Sequence, residues 1–135
     1  MNKTAVWIST YKEECNKVKV QPSNTVLACV ETSDDAQVVV MVAGVKNGSA
    51  LQDSDGIAIF AAMQAYPLVR SLVLTHQAIA DVGSIALQSL LTVDTMLTEL
   101  DLRYNNIGPD GCAKICGALR ANTTLRILDL SGNPI

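Results

Sequence analysis

The sequence is poor in the residues and motifs that carry most enzyme and metal chemistry. It has one histidine among 135 residues, and aromatic residues make up only 4% of the chain. No P-loop, GxSxG or HExxH motif occurs in it. The four cysteines lack the paired CxxC spacing of a zinc site. We therefore expect neither a metal nor a cofactor, and no catalytic residue is predicted.

Charge and hydropathy exclude two further classes of protein. The formal net charge is −3 and there is no basic stripe, which argues against direct binding of nucleic acid. The longest apolar run, residues 38–45, is far shorter than the roughly 20 residues that span a bilayer. No secretory signal precedes it, so the cysteines are interpreted as reduced thiols. We expect a cytoplasmic protein that does not enter membranes, with the cytoskeleton or a cilium as more specific locations.

One pattern, LxxLxLxxNxI, occurs three times at a constant interval. The copies read VRSLVLTHQAI from Val69, LTELDLRYNNI from Leu97 and LRILDLSGNPI from Leu125, with Gln77 replacing asparagine in the first. Residues 69, 97 and 125 are 28 residues apart in both steps. Self-similarity of this period and pattern is the signature of leucine-rich repeats, whose units stack to share one core.

Within the second copy, Leu100 and Leu102 alternate with Glu99, Asp101 and Arg103. This period of two predicts a strand whose leucines point into the core and whose charged side chains point outward. The asparagines that follow, such as Asn105, are expected to stack in a column and to bond backbone groups at the turn.

A helix is predicted after each strand. In the second copy, Gly108-Pro109-Asp110-Gly111 indicates a turn and a helix start. The helical spacing then places four residues on one inward face, among them Cys116, which is interpreted as a small buried residue: Cys112, Ile115, Cys116 and Leu119.

The segment LTELDLRYNNIGPDGCAKICGALRANTTLRILDLSGN resembles the ribonuclease-inhibitor-type leucine-rich repeats, a class that includes immune-receptor and tropomodulin-like repeat domains. The resemblance covers residues 69–135. It implies an α/β leucine-rich repeat solenoid that is curved, with parallel β-strands on the concave face and helices on the convex face. It also implies that the chain binds macromolecular partners.

The amino-terminal part fits the repeat less well. We predict a degenerate capping region over residues 1–40 and repeats over residues 41–135, the last of them incomplete. AQVVVMVAGV from Ala36 is interpreted as a buried strand, and Val18 and Val20 as part of another, with a short helix from Thr25. The alternative is a separate small element anchored by Trp7 and packed on the first true repeat.

The concave face is the predicted contact surface for a protein partner. Its acidic groups slightly outnumber its basic ones, which favours a partner with basic residues. The predicted protein-binding residues are Ser71, Thr75, His76, Glu99, Asp101, Arg103, Tyr104 and Asp129.

A catalytic alternative uses Asp101 and Asp129, which occupy the same position in neighbouring strands about 4.8 Å apart. With His76 they would make a small metal-binding protein or a hydrolase. Aspartate is common at this position in the repeat class that the chain resembles, and Arg103 can neutralise the pair. We therefore favour a non-catalytic interaction or scaffold module. It would be a subunit of a cytoskeletal, ciliary or ribonucleoprotein assembly, or a fragment of a regulatory repeat protein.

The carboxyl-terminal end is a second expected contact site. No helix follows Leu125–Leu130 in the sequence to cover its leucines. An uncovered apolar strand at a sheet edge favours pairing with another chain. We expect a partner at this end, or self-association through it.

Overall fold

The computed structural model describes residues 2–33, 38–42, 49–93 and 96–135. From residue 38 onward, strands and helices alternate along the chain. The helices are α1 (Lys3–Lys17), α2 (Asn24–Glu31), α3 (Asp53–Ala65), α4 (Asp81–Val93) and α5 (Pro109–Leu119). The strands are β1 (Val38–Val42), β2 (Val69–Val73), β3 (Glu99–Asp101) and β4 (Ile127–Asp129).

The four strands form one parallel sheet in the order β1-β2-β3-β4. Strand neighbours are equivalent positions of successive repeats: Leu72 pairs with Leu100, and Leu100 with Leu128. Helices α3, α4 and α5 pack in the same sequence, each against the next. The predicted α/β leucine-rich repeat fold is therefore confirmed, with strands beginning at or within two residues of the predicted positions.

The leucines of the repeat pattern make the core. Leu72, Leu74, Leu100 and Leu102 are at most 1% exposed, whereas Glu99 is exposed. The predicted inward and outward positions are therefore correct, since a shift by one residue would bury Glu99 instead. Burying one leucine side chain contributes about 1.5–3 kcal/mol, so this row is a main source of stability.

Asparagine side chains tie each repeat to its neighbour. The carboxamide of Asn105 accepts a hydrogen bond from the Ile79 amide at 3.1 Å and donates to the carbonyls of Leu74 and Leu102 at 2.8 and 3.0 Å. Asn133 accepts in the same way from Ile107 at 3.0 Å. The predicted asparagine column is confirmed, and the side chain satisfies backbone groups that leave the strand ladder.

The column begins with a substitution. Gln77 takes the asparagine position of the first copy and accepts a hydrogen bond from the Leu51 amide at 2.8 Å. The longer side chain thus keeps the cross-repeat bond that asparagine makes elsewhere.

Aspartates at the helix starts make a second set of cross-repeat bonds. The Asp81 carboxylate accepts hydrogen bonds from the backbone amides of Gly108 and Gly111 at 2.8 and 3.1 Å. One repeat earlier, Asp53 accepts from Ala80 at 2.7 Å. Gly111 lacks a Cβ, which would overlap Asp81, so the close approach of the two repeats requires glycine there.

The amino-terminal region corrects one prediction. No strand forms at Val18 and Val20, because α1 continues to Lys17 and Lys19 then adopts a left-handed φ of 59°. Asn2 starts α1 by accepting a hydrogen bond from the Ala5 amide at 2.7 Å. The predicted short helix near Thr25 is present as α2.

Trp7 lies in α1 and is fully buried. It stacks on Tyr11 with ring centroids 5.4 Å apart, and α1 packs against α3. Burial raises the pKa of the Tyr11 hydroxyl, which accepts a hydrogen bond from the Ser23 amide at 3.0 Å. These contacts hold α1 against α3, which precedes the repeat that begins at Val69, so the alternative of a separate element packed on the first true repeat stays a prediction.

Strand β1 forms the middle of the segment that is predicted as a strand from Ala36. Residues 36–37 and 43–45 lie outside the described residues. Because β1 pairs with β2, the sheet extends back to Val38. The proposed division of the chain at residue 40 falls inside β1 and stays a prediction.

The prediction for Cys116 is wrong. Its side chain is exposed, Cys112 and Leu119 are half-buried, and only Ile115 of the predicted inward face is fully buried. The reason is that α5 packs against α4 on one side, which leaves the Cys116 side of the helix uncovered by the described residues.

Among the described residues, no helix combines the length and the apolarity needed to cross a membrane.

Candidate functional site

The candidate site is the open sheet face. We use this name for the side of β2, β3 and β4 that faces away from the helices, together with the turns that follow these strands. Sheet pairing and the 28-residue period arrange its side chains in four rows across the strands. The rows are Ser71–Glu99–Ile127, Val73–Asp101–Asp129, Thr75–Arg103–Ser131 and His76–Tyr104–Gly132.

All eight predicted binding residues therefore lie on one surface. Glu99, Arg103, Tyr104 and His76 are exposed, whereas Thr75, Asp101 and Asp129 are half-buried. Ser71 is only 9% exposed, so it contributes to the floor of the surface more than to its rim.

Sequence reasoning missed Ile127, which is 55% exposed in the same row as Glu99. Its position between two leucines of the pattern and its outward parity were the available signals. An exposed isoleucine in a row of polar groups adds an apolar contact to the site.

An ion network occupies the centre of the open sheet face. The Arg103 guanidinium donates to both carboxylate oxygens of Asp101, with Nε–Oδ1 at 3.0 Å and Nη2–Oδ2 at 2.8 Å. Its Nε lies 3.7 Å from Oδ2 of Asp129 in the next strand. Asp129 Oδ1 accepts from the Ser131 hydroxyl at 2.6 Å and from the Ser131 amide at 3.0 Å. The network fixes the turns after β3 and β4 and leaves Asp129 Oδ2 as its least engaged oxygen.

The electrostatics follow from these contacts. Hydrogen bonds from the Arg103 side chain hold the pKa of Asp101 below its ordinary value, although partial desolvation opposes them. The Ser131 hydroxyl lowers the pKa of Asp129, and Asp101 raises that of Arg103. All three groups are therefore charged at neutral pH, and with Glu99 the face has three acidic groups against one basic group.

Two aromatic rings form what we call the aromatic shelf, made of His76 and Tyr104. Their ring centroids lie 4.6 Å apart with planes inclined by 23°. The Tyr104 side chain remains 52% exposed, and its ring lies where a Cβ on Gly132 would stand. The shelf therefore runs across two repeats and ends over the bare backbone of a third.

The backbone beneath the shelf is left-handed in all three repeats. His76, Tyr104 and Gly132 have φ of 59°, 58° and 75°. Glycine adopts this conformation at little cost, but a bulky residue such as tyrosine does so only where its surroundings hold it there. The cross-strand hydrogen bonds from the His76 amide to Arg103 and from the Tyr104 amide to Ser131, at 3.0 and 2.9 Å, supply that restraint.

A shallow depression of about 300 Å³ lies between the first two rows. Charged and apolar side chains both contribute to its lining. It is lined by Ser71, Leu72, Val73, Glu99, Leu100, Asp101, Arg103, Ile127 and Asp129. It is the size of a pocket for one or two side chains of a partner.

The catalytic alternative finds little support in this geometry. Arg103 lies against both Asp101 and Asp129, where a bridging cation would have to bind. His76 is stacked on Tyr104. Within the described ranges, no group of three or more histidine, cysteine, aspartate or glutamate side chains is placed to hold a metal ion. Cys112 and Cys116, with sulfurs 3.9 Å apart on α5, lie away from this face.

Comparison with known proteins supports the repeat assignment. The family described as Leucine Rich repeat matches residues 93–116 and 121–135. Centrosomal protein of 78 kDa from Xenopus tropicalis is 40% identical over 57 residues, which cover 42% of this chain and 8% of that protein. Tonsoku-like protein from Bos taurus is 30% identical over 130 residues, covering 93% of this chain and 9% of that protein. The chain thus spans less than a tenth of the length of either relative.

A solved structure, Leiomodin-1 Actin-Binding Site 2 (ABS2), shares the fold. It superposes with a TM-score of 0.59 at 20% sequence identity, covering 87% of this chain and 60% of that one. The matching repeat family, the similarity to Tonsoku-like protein and the 28-residue layers of strand, asparagine turn and helix agree. Together they identify this chain as a leucine-rich repeat protein.

Proposed function

We propose that this chain is a non-catalytic interaction module that binds a protein partner on the open sheet face. The observation that carries the proposal is the exposed aromatic shelf beside the Asp101–Arg103–Asp129 network. Hydrogen bonds and stacking fix these side chains without burying them. Tyrosine and arginine are enriched among the residues that contribute most to binding at protein interfaces.

The relatives suggest where such a module would act. One is named as a centrosomal protein, and the structural neighbour is named as an actin-binding site. A place in a cytoskeletal or ciliary assembly in the cytoplasm is the specific form of the proposal, and actin is the first partner to test. A ribonucleoprotein assembly is a further candidate, in which the acidic chain would contact the protein component.

Affinity capture with matched variants tests the proposal. We expect the tagged 135-residue chain to retain a set of proteins that Tyr104→Ala and Glu99→Lys both lose, because each change alters the open sheet face. Glu13→Lys makes the same charge change on α1 and should retain the full set. Circular dichroism and thermal melting confirm that the three variants fold alike.

Two results would contradict the proposal. One is a captured set unaffected by both face variants, which would place the contact surface on the helices or the ends. The other is a catalytic turnover or a bound metal in the purified protein that Asp101→Asn and Asp129→Asn abolish.

Cosedimentation with actin filaments tests the cytoskeletal form separately. The wild-type chain and Glu13→Lys should pellet with the filaments, and Tyr104→Ala should stay in the supernatant. If all three stay in solution, actin is not the partner, and the captured set then directs the search.

A further inference from the structure

We propose that the partner presents an arginine side chain to the open sheet face, and that its guanidinium stacks on the exposed part of Tyr104 while it hydrogen-bonds Asp129. This inference rests on the proposed function and names the chemistry of the partner. It follows from three features of the face: its charge balance, its exposed ring and the arrangement of its free acceptors.

The charge balance favours a cation. Asp101 is neutralised by the two-point contact with Arg103, at 3.0 and 2.8 Å. Asp129 and Glu99 have no second arginine at comparable distance among the described ion pairs, so the face carries two uncompensated negative charges. Complementary potential is what selects and orients partners at protein interfaces, so a basic segment is preferred over an acidic or neutral one.

The acceptor is Oδ2 of Asp129. Both hydrogen bonds from Ser131 end on Oδ1, and among the described residues only Arg103 approaches Oδ2, at 3.7 Å. The Asp129 side chain is 40% exposed, so this oxygen can be reached from solvent. A guanidinium can donate to it and keep further donors for the backbone around it.

The aromatic shelf distinguishes arginine from lysine. Tyr104 is half-exposed, and the next repeat places Gly132 where another side chain would cover it. A planar guanidinium stacks on an aromatic ring and still donates in its own plane, whereas an ammonium is a compact, strongly hydrated charge. Ile127, 55% exposed near the acidic rim, can contact an aliphatic stem or a neighbouring apolar side chain of the same segment.

Peptide titration followed by amide NMR tests the inference. The probes are acetyl-Gly-Arg-Leu-Arg-Gly-amide and the same peptide in which both arginines are replaced by citrulline, the neutral isostere. We expect saturable shifts centred on residues 101–104 and 129–132 with the arginine peptide, and about tenfold weaker binding of the citrulline peptide. A lysine version should bind more weakly than the arginine peptide.

Variants assign the two contacts. Asp129→Asn keeps the Oδ1 acceptor for Ser131 but removes the charge, and Tyr104→Ala removes the ring; each should weaken binding of the arginine peptide several-fold. Val82→Ala, at a 59% exposed position on α4, is the control and should leave binding unchanged. Equal binding of arginine and citrulline peptides, equal binding of arginine and lysine peptides, or shifts centred on α4 would each overturn the inference.

The outcomes separate this inference from the proposed function. If the captured proteins are lost in Tyr104→Ala but the arginine and citrulline peptides bind alike, the face binds a partner through other chemistry. If the captured set survives both face variants, the proposed function itself is wrong.

Discussion

At the scale of single residues, the turn that follows each repeat strand has the same backbone conformation at one position although the side chain there differs. His76, Tyr104 and Gly132 share a left-handed backbone, yet only the first two present rings. Tyr104 can lie over the third repeat only because residue 132 has no side chain. The pattern in the sequence predicts the turn but not the ring stack, since stacking depends on a backbone angle and on the spacing of neighbouring repeats.

Gly132→Ala should destabilise the fold for two reasons. A left-handed φ costs a non-glycine residue about 1–2 kcal/mol, and the new Cβ would overlap the Tyr104 ring. Chemical denaturation of Gly132→Ala, Tyr104→Gly and the double variant separates the two causes. We expect a smaller loss from Gly132→Ala in the Tyr104→Gly background; an equal loss in both backgrounds would show that ring overlap contributes nothing.

Asn105→Ala should lower the free energy of unfolding by at least about 2 kcal/mol, because it leaves the Ile79 amide and the Leu74 carbonyl unpaired inside the protein, whereas the Leu102 carbonyl keeps its hydrogen bond from Asn133. The adjacent Asn106 is exposed, and its replacement by alanine should cost about 0.5 kcal/mol or less. Urea titrations of both variants make the comparison. Similar losses would mean that the asparagine column adds little to stability.

At the scale of elements, the sequence predicts the repeat strands well because alternation and period act together. Leu100 and Leu102 have to face one way if Glu99 and Asp101 face the other, and neighbouring repeats impose the same choice. For Val18 and Val20 the alternation covers only two apolar residues, and the helical spacing of Trp7, Tyr11 and Cys15, each four apart and buried, decides the structure. That spacing is visible in the sequence and predicts a helix rather than a strand.

The error at Cys116 has a different origin. The helical period assigns Cys116 and Ile115 to related faces, but burial depends on which helix lies beside each face. Ile115 is fully buried, whereas Cys116 points to the side that no described element covers. A pattern within one repeat therefore predicts periodicity but not the neighbour that completes the core.

The two residues directly after β3 offer a test of the inward and outward assignment. Leu102→Ala should cost about 2–5 kcal/mol, since it removes a fully buried side chain and leaves a cavity. Arg103→Ala, one residue further on, should cost about 1 kcal/mol or less, because its ion pair with Asp101 is solvent-exposed. Thermal melting of the two variants measures the difference, and equal shifts would contradict the assignment.

At the scale of the whole molecule, the carboxylate network links stability to pH. The pKa values of Asp101 and Asp129 are lowered in the folded state from the ordinary value of 3.8. Their contribution is therefore complete above the ordinary carboxyl pKa and is lost as the pH falls through the lowered values. Thermal melting between about pH 6 and about pH 2 should show this loss of stability as a falling melting temperature. The fall should be smaller in Asp101→Asn. An unchanged acid response in that variant would assign the loss to other carboxylates.

The exposed apolar side chains at β4 predict that the chain self-associates as its concentration rises. Leu125, Leu128 and Leu130 are only half-buried, whereas the equivalent leucines of the preceding repeat are at most 1% exposed, and Ile127 is 55% exposed. We expect the isolated 135-residue chain to self-associate. Light scattering should show smaller particles for Ile127→Lys and no change for Val82→Lys, a similarly exposed position on α4. A monodisperse wild-type monomer at all concentrations would contradict this expectation.

The hydrogen bonds of the asparagine column and of the aspartate positions share one property, the distance along the chain that they bridge. The bonds made by Asn105, Asn133 and Gln77 to backbone amides span 26 residues, and those made by Asp53 and Asp81 span 27 to 30. None of these bonds reaches past the adjoining repeat. The hydrogen bonds therefore do not limit how many repeats the protein can contain. Duplicating residues 69–96 should add one more layer whose amides and carboxylates find equivalent partners. Deleting half that length should separate the donors of these cross-repeat hydrogen bonds from their acceptors.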